Sequence, residues 1–223
     1  MTWNLPNILT VLRLLAAPAL GLVFLGLSAP YAEWIALLLF IGASLTDWVD
    51  GYLARAWKQE SRFGAMLDPI ADKAMVVIAI MVLAALSGLN WLVLVPCVLI
   101  VFREVFVSGL REFLGAEAKL LKVTKLAKWK TTVQMVAISV LFARALFEHY
   151  LGMQTFGMDE ATVTAVLEGS SPDTLGIGWK VTAVQATAYL GIALLWLAAV
   201  LTAITGWDYF SKALPFLQDG EHQ

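Results

Sequence analysis

Six long apolar runs divide this sequence, and most are long enough to cross a lipid bilayer as a helix. The runs lie at about 8–27, 32–57, 68–87, 90–110, 131–147 and 182–205. Only 14% of the 223 residues are charged, and the mean hydropathy is +0.79. A water-soluble domain of this length would not carry so many long apolar runs. The sequence therefore predicts an all-α integral membrane protein with one membrane-embedded domain over residues 1–223.

Four aspartates interrupt the apolar background within one short stretch, and they form two pairs. The pairs are Asp47 with Asp50 and Asp68 with Asp72. The spacing of three or four residues puts both members of a pair on one face of a helix. A carboxylate near lipid is costly and usually functional. Four together need protons or cations between them, and hard oxygen ligands favour Mg²⁺, Mn²⁺ or Ca²⁺.

The same stretch offers groups that suit a diphosphate. Gly51 and Ala54 continue the first aspartate stripe without bulk, so a ligand could lie close to the backbone, and Arg55 offers a bidentate fork for phosphate. The alternative is an internal ion-pair cluster in which neighbouring cations neutralise the acids. Those cations are Arg55, Lys58, Arg62 and Lys73. Structural pairing alone does not require this spacing of acids, glycine and arginine, so the ligand site is the favoured interpretation.

Two further arginines lie inside apolar runs. Arg13 stands about a turn and a half inside the first run, where it either snorkels to the interface or contacts phosphate in the pocket. Arg103 lies about two turns inside the fourth run, and Arg111 follows it. A second phosphate-bearing substrate would give both a reason to be there, although Glu104 could simply pair with Arg103. The lysines at 119, 122 and 125 are typical of a solvated loop.

The distribution of basic residues predicts the orientation. The connections at 57–67 and 111–130 hold most of the Lys and Arg, whereas the loop at 149–180 is acidic. By the positive-inside rule, both termini and the basic connections lie in the cytoplasm, and the acidic loop lies outside. We therefore expect a multi-pass protein of the inner (cytoplasmic) membrane with its acidic pocket facing the cytoplasm. Asp68 and Pro69 suit a helix start, and a short helix is expected near Asp159 to Leu167.

The spacing Asp47-x2-Asp50-Gly51-x2-Ala54-Arg55-x8-Gly64-x3-Asp68-x3-Asp72 resembles, position for position, the motif of the CDP-alcohol phosphotransferase family. That resemblance implies a membrane enzyme with about six transmembrane helices, usually a homodimer. It further implies two divalent ions, Mg²⁺ or Mn²⁺, which cleave the diphosphate of a CDP-linked lipid. The metal ligands would be Asp47, Asp50, Asp68 and Asp72. Asp72 would also be the catalytic base.

The resemblance also assigns the remaining site residues. The CDP-lipid would contact Thr10, Arg13, Asp47, Gly51, Ala54, Arg55, Ser61 and Gly64. The phosphate of the acceptor would be bound by Arg103, Arg111 and Lys130. The segments around these three cations and the TGxDYF ending are similar to the branch of the family that joins CDP-diacylglycerol to glycerol 3-phosphate.

Membrane lipids are the other expected partners, and no nucleic acid is expected. Two alternatives stay open. One is the same chemistry with another acceptor, such as inositol phosphate. The other is a cation transporter, which would be expected to place polar residues near the bilayer midplane on broken helices, often in repeated halves.

Overall fold

The computed structural model describes residues 4–57, 61–115 and 125–217, with side chains described throughout except at 48–57, 125, 127 and 128. Within these ranges the chain is helical and contains no strand. The helices are α1 (Leu5–Gly26), α2 (Tyr31–Trp57), α3 (Arg62–Leu86), α4 (Trp91–Leu114), α5 (Lys125–Thr155), α6 (Glu160–Leu167) and α7 (Ile177–Leu217). The predicted all-α class is confirmed.

Five of the helices are long and apolar enough to cross a membrane. They are α1, α3, α4, residues Trp129–Thr155 of α5, and α7. Helix α2 is the sixth long helix, and its 27 residues also suffice for a crossing. The short helix α6 lies in the acidic loop, where Asp159 caps it by accepting a hydrogen bond from the Thr162 amide. The protein is thus multi-pass, with about the predicted number of spans.

The start of α3 corrects one prediction. The helix begins at Arg62 and not at Asp68, because Ser61 caps it: the Ser61 hydroxyl accepts a hydrogen bond of 2.9 Å from the Gly64 amide. Asp68 and Pro69 therefore lie inside the helix, and Pro69 is tolerated there at the loss of one backbone hydrogen bond. The connection from α2 is accordingly much shorter than the predicted 57–67.

The helices form two groups that pack against each other. Helix α1 packs on α2 and α3, while α7 packs on α4 and α5, and contacts of α5 with α2 and α3 join the groups. Small residues line the interfaces, because in lipid the association of helices depends on close packing more than on hydrophobicity. The fully buried alanines in the described part of the chain are Ala17, Ala36, Ala71, Ala79, Ala137, Ala198 and Ala213. Between them, the rings of Phe40 and Phe142 lie 6.0 Å apart.

A proline in α4 is accommodated by the neighbouring helix. Pro96 has no N–H, so the carbonyl of Leu92, four residues earlier, has no helical donor. The indole N–H of Trp196 on α7 donates to this carbonyl at 2.9 Å. A free backbone carbonyl would be costly within a membrane, so this bond satisfies α4 and fixes its position against α7.

Gly191 sets the distance between α7 and α5. A Cβ atom at this position would lie 2.8 Å from Leu141 Cγ and 3.3 Å from Val140 Cγ1. We expect Gly191→Ala to lower the unfolding midpoint in detergent, because overpacking costs about 1–3 kcal/mol.

The matched control is Gly42→Ala on α2, where a Cβ atom would meet nothing within 4 Å. Both substitutions gain the same helix propensity, so the difference between the two midpoints reports packing alone. A midpoint for Gly191→Ala at or above that of Gly42→Ala would contradict this assignment.

Candidate active site

The site begins with a polar stripe on α1, formed by Asn7, Thr10 and Arg13. These residues are spaced three apart, so they share one face of the helix, and each is at least 97% buried. The stripe faces α2 and α3, which carry the aspartates. An otherwise apolar helix thus contributes polar contacts that hold the predicted site.

Asn7 joins the stripe to the start of α3. Its Oδ1 accepts a hydrogen bond of 2.7 Å from the Ser61 hydroxyl. The approach is close, because a Cβ atom at Gly64 would lie only 2.8 Å from the same Oδ1 atom. Ser61 and Gly64, which the sequence predicts to bind the CDP-lipid, therefore sit where α3 begins against α1. A larger residue at position 64 would displace the Asn7 side chain from its contact with Ser61.

Thr10 and Arg13 contact three aspartates directly. The Thr10 hydroxyl donates to Asp68 Oδ1 at 2.7 Å. One nitrogen of Arg13, Nη1, lies 2.7 Å from Asp47 Oδ1 and 2.5 Å from Asp72 Oδ1. The Arg13 side chain is only 2% exposed, whereas those of Asp47 and Asp72 are 41% and 42% exposed. The carboxylates are therefore held from the inside and remain open to a ligand on the outside.

This arrangement fits a divalent cation site. Oxygens of Asp47 and Asp72, from two different helices, lie 2.7 Å and 2.5 Å from one cationic nitrogen, so both carboxylates are directed at one point. Carboxylate oxygens are the ligands that Mg²⁺ and Mn²⁺ prefer. Among the side chains that the structure describes, no three acids, histidines or cysteines form a metal-ligand group. The fourth predicted ligand, Asp50, is not among the residues whose side chains the structure describes. The same holds for positions Gly51, Ala54 and Arg55 of the predicted CDP-lipid site.

A second charged network lies on the other side of the site. Glu104 on α4 forms ion pairs with Arg103, at 3.3 Å, and with Lys130 of α5. Arg103 also contacts α7, where it lies 3.5 Å from the Thr205 hydroxyl. Gly206 leaves room for the Arg103 side chain, since a Cβ atom at position 206 would lie 2.9 Å from Arg103 Cγ. The ion pair of Glu104 with Arg103, which the sequence leaves as a possibility, is present. Glu104 pairs with Lys130 as well.

Arg111 completes this side of the site. Its guanidinium lies 5.1 Å from the centre of the Tyr209 ring, a cation–π contact that fixes the side chain. Together with Arg103 and Lys130 it gives three cations against the single carboxylate of Glu104. The excess positive charge suits a phosphate, and the structure thus brings the three predicted acceptor residues into one neighbourhood.

One cavity of about 260 Å³ connects the two networks. Asp47, Asp72 and Lys73 line it from α2 and α3, and Glu104 and Arg111 line it from α4. Acidic and basic side chains thus face the same space. A ligand with a phosphate at one end could present its other end to the carboxylates.

Sequence reasoning missed several residues that shape this site. Gln134 lines the cavity, and Asn7, Thr205 and Gly206 position predicted residues from outside it. The signals were present: Asn7 stands in register with Thr10 and Arg13, and Gln134 is a polar residue in an apolar run. Neither pattern identifies the group that the side chain contacts, so the sequence alone assigns no role to Asn7 or Gln134.

The chain is similar to known proteins over most of its length. A model of the CDP-alcohol phosphatidyltransferase family matches residues 3–207. A Cereibacter sphaeroides protein named CDP-diacylglycerol–glycerol-3-phosphate 3-phosphatidyltransferase is 61% identical over 98% of this chain and 99% of its own. Proteins of the same name are 38% identical in Rickettsia bellii, over 93% of each chain, and 41% identical in Escherichia coli, over 70% of this chain and 86% of that relative.

The role of Arg13 can be tested through stability. Arg13→Met removes the cation shared by Asp47 and Asp72, so their repulsion is no longer offset. We expect a loss of about 1–3 kcal/mol, which is less than for a fully buried pair because both acids are partly hydrated. The unfolding midpoint in detergent with a chelator should fall, and excess Mg²⁺ should raise it more than it raises the wild type.

The control is Arg144→Met, which breaks an ion pair of 2.6 Å with Glu148 on α5. This variant should show no larger response to Mg²⁺ than the wild type. Equal responses of the two variants to Mg²⁺ would contradict the bridging of Asp47 and Asp72 by Arg13.

Proposed function

The chain belongs to the CDP-alcohol phosphatidyltransferase family, and from this premise we propose that it transfers the phosphatidyl group of CDP-diacylglycerol to glycerol 3-phosphate. The products are phosphatidylglycerophosphate and CMP, and the reaction is a step of phospholipid biosynthesis. The observation that carries the proposal is the one cavity that Asp47, Asp72 and Arg111 all line. It offers carboxylates for the diphosphate site and a cation for the phosphate of the acceptor.

The chemistry is the formation and cleavage of bonds to one phosphorus atom. The acceptor hydroxyl oxygen bonds to the phosphorus of the phosphatidyl group, and the bond from that phosphorus to CMP breaks. The hydroxyl proton passes to Asp72, and the electron pair of the broken bond leaves with CMP. Asp47, Asp50, Asp68 and Asp72 would hold two divalent ions, Mg²⁺ or Mn²⁺, which would supply Lewis-acid stabilisation of the diphosphate.

Residues of the chain orient both substrates. Thr10 and Arg13 fix the carboxylates from α1, so the ligands need little rearrangement when charge develops. Arg103, Arg111 and Lys130 hold the phosphate of glycerol 3-phosphate, and Glu104 keeps two of these cations in position. The CDP-lipid lies along Gly51, Ala54 and Arg55 of α2, with its acyl chains between helices in the lipid.

The location follows from charge and topology. We infer that the protein lies in the inner (cytoplasmic) membrane with its active site facing the cytoplasm, because the basic connections flank the site. The soluble acceptor then enters from the cytoplasm, and the acidic loop at 149–180 lies on the other side.

The homodimer implied by the family stays a prediction. Of the two alternatives, cation transport is disfavoured by membership of a transferase family, and the choice of acceptor is decided by assay.

CMP release tests the function directly. Purified protein in mixed micelles with CDP-diacylglycerol and Mg²⁺ should release CMP with glycerol 3-phosphate and not with inositol phosphate, free glycerol or serine. Asp72→Asn should lower this release by at least about 100-fold, because it removes the base. The control is Asp208→Asn, which affects an exposed pair with Lys212 on α7.

Folded protein that releases no CMP with any acceptor would refute the function. Release with inositol phosphate in place of glycerol 3-phosphate would keep the chemistry and overturn the substrate. An active Asp72→Asn variant would remove Asp72 as the base.

Arg111→Ala separates acceptor binding from the chemical step. We expect the KM for glycerol 3-phosphate to rise about 10-fold or more, since a charge-assisted contact to phosphate is lost, while the KM for CDP-diacylglycerol stays unchanged. Arg144→Ala, at the far end of α5, is the control. An unchanged KM for glycerol 3-phosphate in Arg111→Ala would take this residue out of the acceptor site.

A further inference from the structure

Gln134 is a buried polar residue in the active-site cavity. It lies on α5, one turn after Lys130, and lines the same cavity as Asp72 and Arg111. The residue is only 3% exposed, and its Oε1 atom has no hydrogen-bond partner in the part of the chain that the structure describes. A buried acceptor without a donor costs about 1–3 kcal/mol. Such a group in a cavity wall points to a ligand that supplies the donor.

The position of Gln134 restricts which part of a ligand it can reach. Lys130 and Gln134 are four residues apart, so they share a face of α5 at about 6 Å along the axis. The phosphate of the acceptor belongs at the end near Lys130 and Arg111, and the reacting hydroxyl belongs at the Asp72 end. Gln134 lines the same cavity as Asp72 and Arg111, so an acceptor that spans these two groups would lie in the same space as Gln134.

We propose that Gln134 Oε1 accepts a hydrogen bond from the C2 hydroxyl of glycerol 3-phosphate and thereby selects acceptors that carry a hydroxyl next to the reacting carbon. This inference rests on the proposed function and deepens it. The phosphate cations alone would accept any short phosphorylated alcohol. An acceptor without the middle hydroxyl would leave Oε1 buried and unpaired, and a site built around a substrate hydroxyl discriminates strongly against an analogue that lacks it.

The test compares two acceptors and two variants. The acceptors are glycerol 3-phosphate and 3-hydroxypropyl phosphate, which differ only in the C2 hydroxyl. The variants are Gln134→Met and the control Gln154→Met. Gln154 is on the same helix and its Oε1 atom also lacks a partner among the described residues, but it lies about 30 Å away along the axis.

CMP release gives kcat/KM for each combination. The wild type should prefer glycerol 3-phosphate by about 10–100-fold, which corresponds to about 1.4–2.8 kcal/mol. In Gln134→Met this preference should fall to about 1, through loss of activity with glycerol 3-phosphate and not with 3-hydroxypropyl phosphate. Gln154→Met should keep the preference of the wild type.

A structural role for Gln134 would give a different result, with both acceptors losing activity in parallel and the preference unchanged. That outcome would overturn the inference. So would a wild type that uses both acceptors equally well.

The unfolding midpoint provides a second readout. Because Met has nearly the volume of Gln and removes a buried unpaired oxygen, Gln134→Met should unfold no earlier than the wild type. Clear destabilisation would mean that Gln134 serves the fold, against the inference. Failure of the proposed function is distinguishable, since wild-type protein would then release no CMP with glycerol 3-phosphate.

Discussion

The ion pairs of Arg13 are the interaction on which the rest of the site depends. A guanidinium that is almost fully buried in an apolar bundle holds Asp47 of α2 and Asp72 of α3 through one nitrogen. Without a cation at this point, the carboxylates would repel each other at the junction of three helices. Arginine suits the position because it stays charged when buried. The stripe of Asn7, Thr10 and Arg13 therefore makes α1 the element that assembles the acidic half of the site.

In the basic half of the site the charges are reversed, and an anion holds cations in position. One carboxylate, Glu104, holds two cations, and α7 supports Arg103 through Thr205 and the space left by Gly206. Because Glu104 offsets only part of the positive charge, the network is stable without ligand and still attracts an anion. Residues of both halves line one cavity. Opposite charges that are fixed in this way can orient a substrate with a phosphate at one end and a nucleophile at the other.

Close helix packing connects these halves to the membrane-spanning scaffold. Gly64 lets α3 approach Asn7 of α1, and Gly191 lets α7 approach α5. The buried alanines do the same along the rest of the interfaces. In lipid such contacts replace the hydrophobic drive of a water-soluble core, so the position of the charged side chains depends on the small residues at these interfaces.

The sequence by itself determined the membrane class, the approximate spans, the short helix in the acidic loop and the identity of the charged clusters. These features follow from local hydropathy and helical spacing, which need no tertiary information. The start of α3 was predicted too late, since Asp68-Pro69 and Ser61 both suit a helix start and only the contact of Ser61 with Asn7 distinguishes them. The tertiary structure alone decided that Arg13 bridges Asp47 and Asp72, that Glu104 pairs with Lys130, and that Gln134 lines the cavity with an Oε1 atom that has no hydrogen-bond partner among the described residues. The physical reason is that these contacts join residues far apart in the chain, whose distances are set by how the helices pack and not by any local pattern.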